Sequence, residues 1–169
     1  MKKNSPKTLE VLLVEDNPGD VRLTQEALEQ ARRPHRLNVV QDGMEALEFL
    51  RKEGAFHGMP TPDIILLDLN LPRRSGRDVL MEMRKDRALA KIPVVVLTVS
   101  RSDRDMVECG KLKANFINKP VTADELAHVM GAPGDFFATA VKPAARSGKK
   151  RAPKHAAAGG FAAGRKRSP

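Results

Sequence analysis

The sequence has little of three things: cysteine, long apolar runs, and acidic residues near its carboxyl terminus. A single cysteine, Cys109, excludes a disulfide bond within the chain and is typical of a reducing compartment. The first residues, MKKNSPKT, have no apolar segment after their lysines, so they do not predict a signal peptide. No stretch approaches the about 20 apolar residues of a transmembrane helix. We therefore expect a cytoplasmic protein that makes no use of a membrane.

The missing acids define a separate carboxyl-terminal segment. All 21 acidic residues lie before residue 138 and balance 21 of the 30 basic residues, so the nine basic residues of 138–169 account for the net charge of +9. From Lys142 onward Phe161 is the only large apolar residue, which is too little apolar surface to offset the entropy of ordering. We expect one domain over residues 1–137 and a disordered basic tail over 138–169. The tail predicts either weak, sequence-independent nucleic-acid binding or a solubilising extension without a partner.

Short apolar runs and helical patterns alternate five times along the domain. The apolar runs predict strands at residues 9–14, 36–40, 64–68, 94–97 and 116–117. Helices are predicted at residues 21–31, from 44 to near 54, from 75 to about 86, around Met106, Val107 and Leu112, and from 122 to 130. Asp20 and Ser75 are the predicted N-caps of the first and third helices. The alternation predicts an α/β fold, a doubly wound five-stranded parallel sheet with helices on both faces.

Polar side chains follow the carboxyl ends of four of these strands. They are Glu15 and Asp16 after the first strand, Asp68 at the end of the third, Thr98 after the fourth and Lys119 after the fifth. In a doubly wound sheet, functional groups gather at this edge. Three carboxylates a few ångströms apart repel by on the order of 1–4 kcal/mol per pair, and a divalent cation relieves the repulsion. With oxygen ligands and no histidine nearby, Mg²⁺ or Mn²⁺ is favoured over zinc.

These groups together can accept a phosphoryl group. The metal ion and the Lys119 ammonium neutralise the phosphoryl oxygens while the Asp68 carboxylate attacks in line. Thr98 can then donate its hydroxyl to a phosphoryl oxygen, and a loop drawn toward that group acts as a switch. Each residue alone is more typical of a solvated loop, a strand end or a helix cap. Their joint position at one edge favours the phosphoryl chemistry.

The chain resembles the receiver domains of two-component response regulators over about residues 7–130. The matching motifs occur together and in order: Glu15-Asp16, Asp68, Asn70, Pro72, Gly76, Thr98 and Lys119-Pro120. The resemblance implies the flavodoxin-like (βα)5 receiver fold. It implies a domain that accepts a phosphoryl group from a histidine kinase and signals to a partner by protein–protein contact. Such a domain catalyses only its own phosphorylation and dephosphorylation and is not an enzyme toward other substrates.

The resemblance also assigns roles to individual residues. The residues implied in phosphoryl acceptance and Mg²⁺ binding are the phosphoacceptor Asp68, the carboxylates of Glu15 and Asp16, and the backbone carbonyl of Asn70. The residues implied in sensing and switching are Thr98 and Lys119, which contact the phosphoryl group, and the aromatic switch Phe116. Asp68 and Lys119 are the implied catalytic pair, and the Lys119–Pro120 bond is expected to be cis.

Two stretches are similar to a subgroup of the family. Residues 14–28 (VEDNPGDVRLTQEAL) and 135–142 (DFFATAVK) are similar to the small single-domain regulators that are paired with phytochrome-type sensor kinases. This similarity implies a phytochrome-type kinase as the donor. It also implies a homodimer formed through the fifth predicted helix and its extension. The downstream protein target is not identified by the sequence.

The pocket departs from the family pattern, which usually has an apolar residue and an acid before the glycine, because here Arg73, Arg74 and Ser75 precede Gly76. Arg74 places positive charge at the rim of the pocket around Asp68. Val99 stands where the family favours a small residue, so access to Asp68 is expected to be narrower.

Two other functions are alternatives. A phosphatase with an aspartate nucleophile would carry its D-x-D motif after the first strand, and here Asn70 replaces the second acid. A flavodoxin-like nucleotide carrier would place a phosphate against Glu15-Asp16, which would repel it.

Overall fold

The structure is a computed structural model that describes residues 7–99 and 114–131. Within that part of the chain five strands form one parallel sheet: β1 (Leu9–Val14), β2 (His35–Val40), β3 (Ile64–Asp68), β4 (Val94–Thr98) and β5 (Asn115–Asn118). Their order in the sheet is β2-β1-β3-β4-β5, so the chain winds outward in both directions from the β1–β3 pair. The sheet is therefore doubly wound and flavodoxin-like, which confirms the predicted fold class.

Four helices cover the sheet in the described residues: α1 (Pro18–Gln30), α2 (Gly43–Arg51), α3 (Gly76–Lys85) and α4 (Ala123–Gly131). Two short 3₁₀ turns, Gly54–Phe56 and Leu89–Lys91, lie in the connections. The helix here named α4 is the one predicted as the fifth. The helix predicted around Met106, the extension at 135–142 and the basic tail lie outside the described residues. No helix within 7–99 and 114–131 is long and apolar enough to cross a membrane.

The central strand β3 is buried on both faces, as its continuous apolar run predicts. Ile65 and Leu67 belong to the cluster of buried side chains that packs under α2 and α3. Ile64 and Leu66 belong to the cluster under α1 and α4. Each such side chain contributes about 1.5–3 kcal/mol by leaving water, so β3 is firmly fixed in the sheet. The position of its last residue, Asp68, is fixed with it.

The start of α1 differs from the prediction. The helix begins at Pro18, three residues earlier than predicted, and its N-cap is Asn17 rather than Asp20. The Asn17 side-chain oxygen accepts hydrogen bonds from the backbone N–H groups of Gly19 and Asp20, at 2.8 and 3.3 Å. Proline is favoured in the first turn because its missing N–H would have no partner there. The Asp20 side chain is consequently not needed as a cap.

Other element bounds differ from the predicted ones by one to three residues. The strands β2 and β5 begin one residue earlier, and β4 extends through Thr98. The helix α2 ends at Arg51 because Lys52 takes a left-handed conformation with φ 59°. Ser75 caps α3 as predicted, since its hydroxyl accepts a hydrogen bond from the Asp78 N–H at 3.2 Å.

Candidate functional site

The end of β3 delivers Asp68 into a nearly closed polar site. The residue is only 6% exposed. One carboxylate oxygen accepts the Asn70 backbone N–H at 2.8 Å, and the other accepts the Lys119 ammonium at 2.6 Å. The first turn of α3 passes directly behind it, because a Cβ atom on Gly76 would lie 2.1 Å from the Asp68 backbone oxygen. Glycine at position 76 is therefore required for this close approach.

Three carboxylates converge at this edge, as the sequence predicts. One oxygen from each of Glu15, Asp16 and Asp68 lies within 4.8 Å of the others. Glu15 is buried, and one of its carboxylate oxygens accepts the Asn17 backbone N–H at 3.0 Å. Burial raises the pKa of Glu15, and this effect outweighs the hydrogen bonds from Lys119 and Asn17 that lower it. The crowded, all-oxygen donor set fits a hard divalent cation such as Mg²⁺ or Mn²⁺.

Lys119 is the cation that partly balances these acids. Its ammonium donates to Glu15, to Asp20 at 2.8 Å and to Asp68 at 2.6 Å, so all three of its N–H groups are used. Burial lowers the pKa of Lys119, but the carboxylates of Asp20, Asp68 and Glu15 raise it well above its ordinary value. Lys119 is therefore charged throughout the working pH range. Its peptide bond to Pro120 is cis.

Asp20 is a site residue that the sequence-based prediction missed. The prediction assigns it to the α1 cap, whereas its carboxylate is half-buried and contacts Lys119. The signal is present in the sequence, because Asn17-Pro18 is a better cap and first-turn pair, and a helix that starts there frees Asp20. Asp20 lies in the first turn of α1, directly after the loop that leaves the carboxyl end of β1.

The predicted sensing and switch residues lie on the two strands next to β3 on one side. Thr98 is buried at the end of β4, one residue beyond Leu97, which pairs with Asp68. Its backbone oxygen accepts the Lys119 N–H at 2.9 Å, which links the ends of β4 and β5. Phe116 on β5 is half-buried and packs against the cluster under α2 and α3, so it is at least a core residue.

Val99 and Arg74 are two of the residues that depart from the family pattern. Val99 is 69% exposed immediately after β4. The Arg74 guanidinium lies close enough to Glu82 on α3 to help lower the pKa of that carboxylate, after the larger effect of Lys85. Asn70 is exposed at the start of the loop after β3, where its backbone is held by the bond to Asp68.

Comparison with known proteins agrees with this geometry. The model of the response regulator receiver domain matches residues 11–130, which is most of the chain. The chain belongs to this family. Its relatives include the response regulator Rcp1 of Synechocystis sp., which is 40% identical over 144 residues covering 84% of this chain and 97% of that protein.

Solved receiver structures are also similar. The phosphorylated cyanobacterial phytochrome response regulator RcpA is 40% identical with a TM-score of 0.66, and the match covers 80% of this chain and 98% of that one. The Mn²⁺-bound form of Rcp1 is 38% identical with a TM-score of 0.65, covering 80% and 99% of the two chains. The residues that lie together at the carboxyl edge of this receiver sheet are Asp68, Glu15, Asp16 and Lys119.

Proposed function

We propose that Asp68 accepts a phosphoryl group from a histidine kinase, with Mg²⁺ held by Glu15, Asp16, Asp68 and the backbone carbonyl of Asn70. The observation that carries this proposal is the 2.6 Å contact between Lys119 and Asp68 beside two further carboxylates. A strand-end aspartate that served only the fold would not need a buried ammonium and two acids around it. Mn²⁺ is an acceptable substitute, and the Mn²⁺-bound form of the relative Rcp1 supports this choice.

The proposed transfer uses the Asp68 carboxylate as the nucleophile and a phosphohistidine as the donor. An Asp68 carboxylate oxygen attacks phosphorus, and the new O–P bond forms as the P–N bond of the donor phosphohistidine breaks. The donor imidazole leaves with the electron pair and takes up a proton. Lys119 ion-pairs with a phosphoryl oxygen in place of one of its carboxylate partners. Bound Mg²⁺ would supply further neutralisation of the phosphoryl oxygens and of the crowded acids.

The resulting acyl phosphate is the signal. Thr98 lies one strand away from Asp68, where its hydroxyl can turn toward the phosphoryl oxygens. We propose that this movement and a repositioning of Phe116 alter the surface that a downstream protein reads. The chain acts as a switch in the cytoplasm and not as an enzyme toward other substrates. Its similarity to phytochrome response regulators supports a phytochrome-type kinase as the donor.

Labelling by a small phosphodonor tests the central step. The full chain is incubated with acetyl phosphate and Mg²⁺, and intact mass is followed for the addition of one phosphoryl group. The wild type and Asp63→Asn, which changes the acid immediately before the same strand, are expected to be labelled. Asp68→Asn and a wild-type sample with excess chelator are expected to remain unlabelled. Labelling that survives in Asp68→Asn would falsify the assignment of the phosphoacceptor.

Phosphotransfer from purified kinases tests the donor. Autophosphorylated histidine kinases, with phytochrome-type kinases among them, are mixed with the wild type and with Asp68→Asn, and loss of label from each kinase is timed. The fastest transfer is expected from a phytochrome-type kinase. If another class transfers faster, the donor assignment is wrong while the assignment of Asp68 stands.

A further inference from the structure

The loop that follows Asp68 is anchored at both of its ends. This loop, residues 69–75 and named here the β3–α3 loop, contains Asn70, whose carbonyl is the proposed metal ligand. At its start the Asn70 N–H donates to the Asp68 carboxylate at 2.8 Å. At its end the Gly76 N–H donates to the Leu69 carbonyl oxygen at 3.0 Å. These two bonds leave the middle of the loop to be fixed by other contacts.

Arg73 supplies one such contact from the middle of the loop. Its Nε donates to a carboxylate oxygen of Asp42 at 2.7 Å, and a terminal guanidinium nitrogen donates to the same oxygen. Arg73 also has a left-handed backbone with φ 59°, which costs free energy for any residue other than glycine. Such a conformation persists where the surroundings impose it, so the loop is held in place here.

Asp42 is a firm attachment point for this contact. It is the N-cap of α2, and its second carboxylate oxygen accepts the N–H groups of Met44 and Glu45 at 2.8 and 2.9 Å. Both of its oxygens are therefore occupied, and the residue is buried. Burial raises the pKa of Asp42, but the bonds from Glu45, Arg73 and Met44 together hold it below its ordinary value. Asp42 is an anchored, charged acceptor.

A second, independent contact joins the same two parts of the molecule. A Cβ atom on Gly43 would lie 2.2 Å from the backbone oxygen of Arg74. The loop backbone thus rests directly on the first turn of α2, one residue after Asp42. Arg73 and Arg74 of the loop therefore contact Asp42 and Gly43 at the start of α2.

We propose that Asp42 and Arg73 are positioning residues, which fix the β3–α3 loop so that the Asn70 carbonyl is held ready for the divalent cation. Neither residue touches the reacting atoms. Arg73 follows Asn70 by three residues, and Pro72 between them restricts the backbone further. The Asp42–Arg73 pair therefore acts on metal affinity through the backbone. The inference rests on the proposed function, because it concerns the metal site of that same reaction.

The sign of the effect separates this role from simple electrostatics. Arg73→Met removes a positive charge near an acidic site, and Coulomb's law alone predicts tighter Mg²⁺ binding. Loss of positioning predicts weaker binding. Arg74→Met is the matched control: it removes the same charge from the next residue and leaves the Arg74 backbone contact with Gly43 in place. The two variants are expected to differ in direction.

Isothermal titration of the full chain with Mg²⁺ measures the effect. Arg73→Met is expected to weaken binding about tenfold, at the low end of the about 10–100-fold found for residues that orient metal ligands. Arg73→Lys keeps one donor and is expected to recover part of the affinity. Asp42→Asn keeps the helix cap and loses the ion pair, and the double variant Asp42→Asn/Arg73→Met is expected to bind no more weakly than Arg73→Met.

Labelling by acetyl phosphate supplies a second readout that loss of fold would not mimic. At limiting Mg²⁺ the Arg73→Met variant is expected to react slowly, and at saturating Mg²⁺ its rate returns to that of the wild type. If Arg73→Met folds poorly, Arg73→Lys carries the comparison, because it keeps the charge and electrostatics alone then predicts unchanged Mg²⁺ binding, whereas loss of positioning predicts weaker binding. The inference is overturned if Arg73→Met binds Mg²⁺ as tightly as Arg74→Met. If the wild type neither binds Mg²⁺ nor is labelled, the proposed function itself fails.

Discussion

The strand β3 is bracketed by two aspartates that the fold treats in opposite ways. Asp63, at the amino end, has one oxygen on the Lys7 ammonium at 2.7 Å and the other on the Glu10 N–H at 2.9 Å. Its charge is matched by a cation of its own. Asp68, at the carboxyl end, shares Lys119 with two other carboxylates and lies beside Asp16 as well. The two acids flank the same strand, but only around Asp68 do the carboxylates outnumber the neighbouring ammonium.

The contrast is between an acid that has its own cation and a group of acids that outnumber theirs. Asp63 at the amino edge is paired and stabilises the fold. At the carboxyl edge, in the described part of the chain, the Lys119 ammonium pairs with Glu15, Asp20 and Asp68. Asp16 lies beside Glu15 and Asp68, so four carboxylates gather near this ammonium. Carboxylates this close repel one another, which lowers the free energy of unfolding unless a bound cation offsets the repulsion.

The largest expected effect is on the free energy of unfolding, and its sign is opposite for Asp68→Asn and Asp63→Asn. Without divalent ions and at low salt, Asp68→Asn is expected to raise the free energy of unfolding by about 1–2 kcal/mol, because it removes like-charge repulsion. Asp63→Asn is expected to lower it by less than about 1 kcal/mol, the usual contribution of an exposed ion pair. Urea unfolding followed by far-UV circular dichroism measures both, since the chain has no Trp or Tyr.

Adding Mg²⁺ to the same unfolding experiment tests whether Asp68 contributes to metal binding. At a concentration ten times the dissociation constant it is expected to stabilise the wild type by about 1.4 kcal/mol, through binding to the folded state alone. It should stabilise Asp63→Asn equally and Asp68→Asn much less. A metal-free Asp68→Asn protein that is less stable than the wild type would contradict the view that this edge is strained by its charges.

A smaller effect is expected at Asp20, the fourth acid. Asp20→Asn leaves the Lys119 charge less neutralised, so Mg²⁺ binding should weaken by up to about fivefold, as an ion pair of at most about 1 kcal/mol implies. At saturating Mg²⁺ the labelling rate should rise instead, because the ammonium is freer to pair with the phosphoryl group. The control is Glu26→Gln, which removes an exposed charge from the same helix. Equal changes in both variants would exclude a specific role for Asp20.

The contrast between the two ends of β3 also explains what the sequence could predict. The continuous apolar run of Ile64 to Leu67 determines a buried strand by itself, so the fold class and the place of Asp68 follow from local pattern. The places of Glu15, Asp16, Thr98 and Lys119 follow because parallel strands end at one edge. These predictions need only periodicity and topology.

Two further features were not predicted, for different reasons. Asn17 and Asp20 are both suitable caps for α1, and the choice of Asn17 depends on backbone conformation at Pro18. The pairing of Arg73 with Asp42 joins residues 31 apart and requires a left-handed turn at a non-glycine residue. The Asn17-Pro18 pair is a local cap signal that the prediction did not use, whereas the pairing of Arg73 with Asp42 leaves no trace in any local pattern.

The smallest expected effect is the pH dependence of the stability that Asp63 contributes at the amino end of β3. Burial raises the pKa of Asp63, but the Glu10 N–H and the Lys7 ammonium lower it more, so it lies below its ordinary value of 3.8. A depressed pKa contributes stability that is present above the unfolded-state value and lost as the pH falls through the folded-state value. The stability difference between the wild type and Asp63→Asn should therefore be constant near neutral pH and should vanish in acid below that lowered pKa. Lys7→Gln, which leaves the Glu10 bond intact, should show part of the same pH dependence. A difference that persists unchanged in acid would mean that Asp63 acts through its shape rather than its charge.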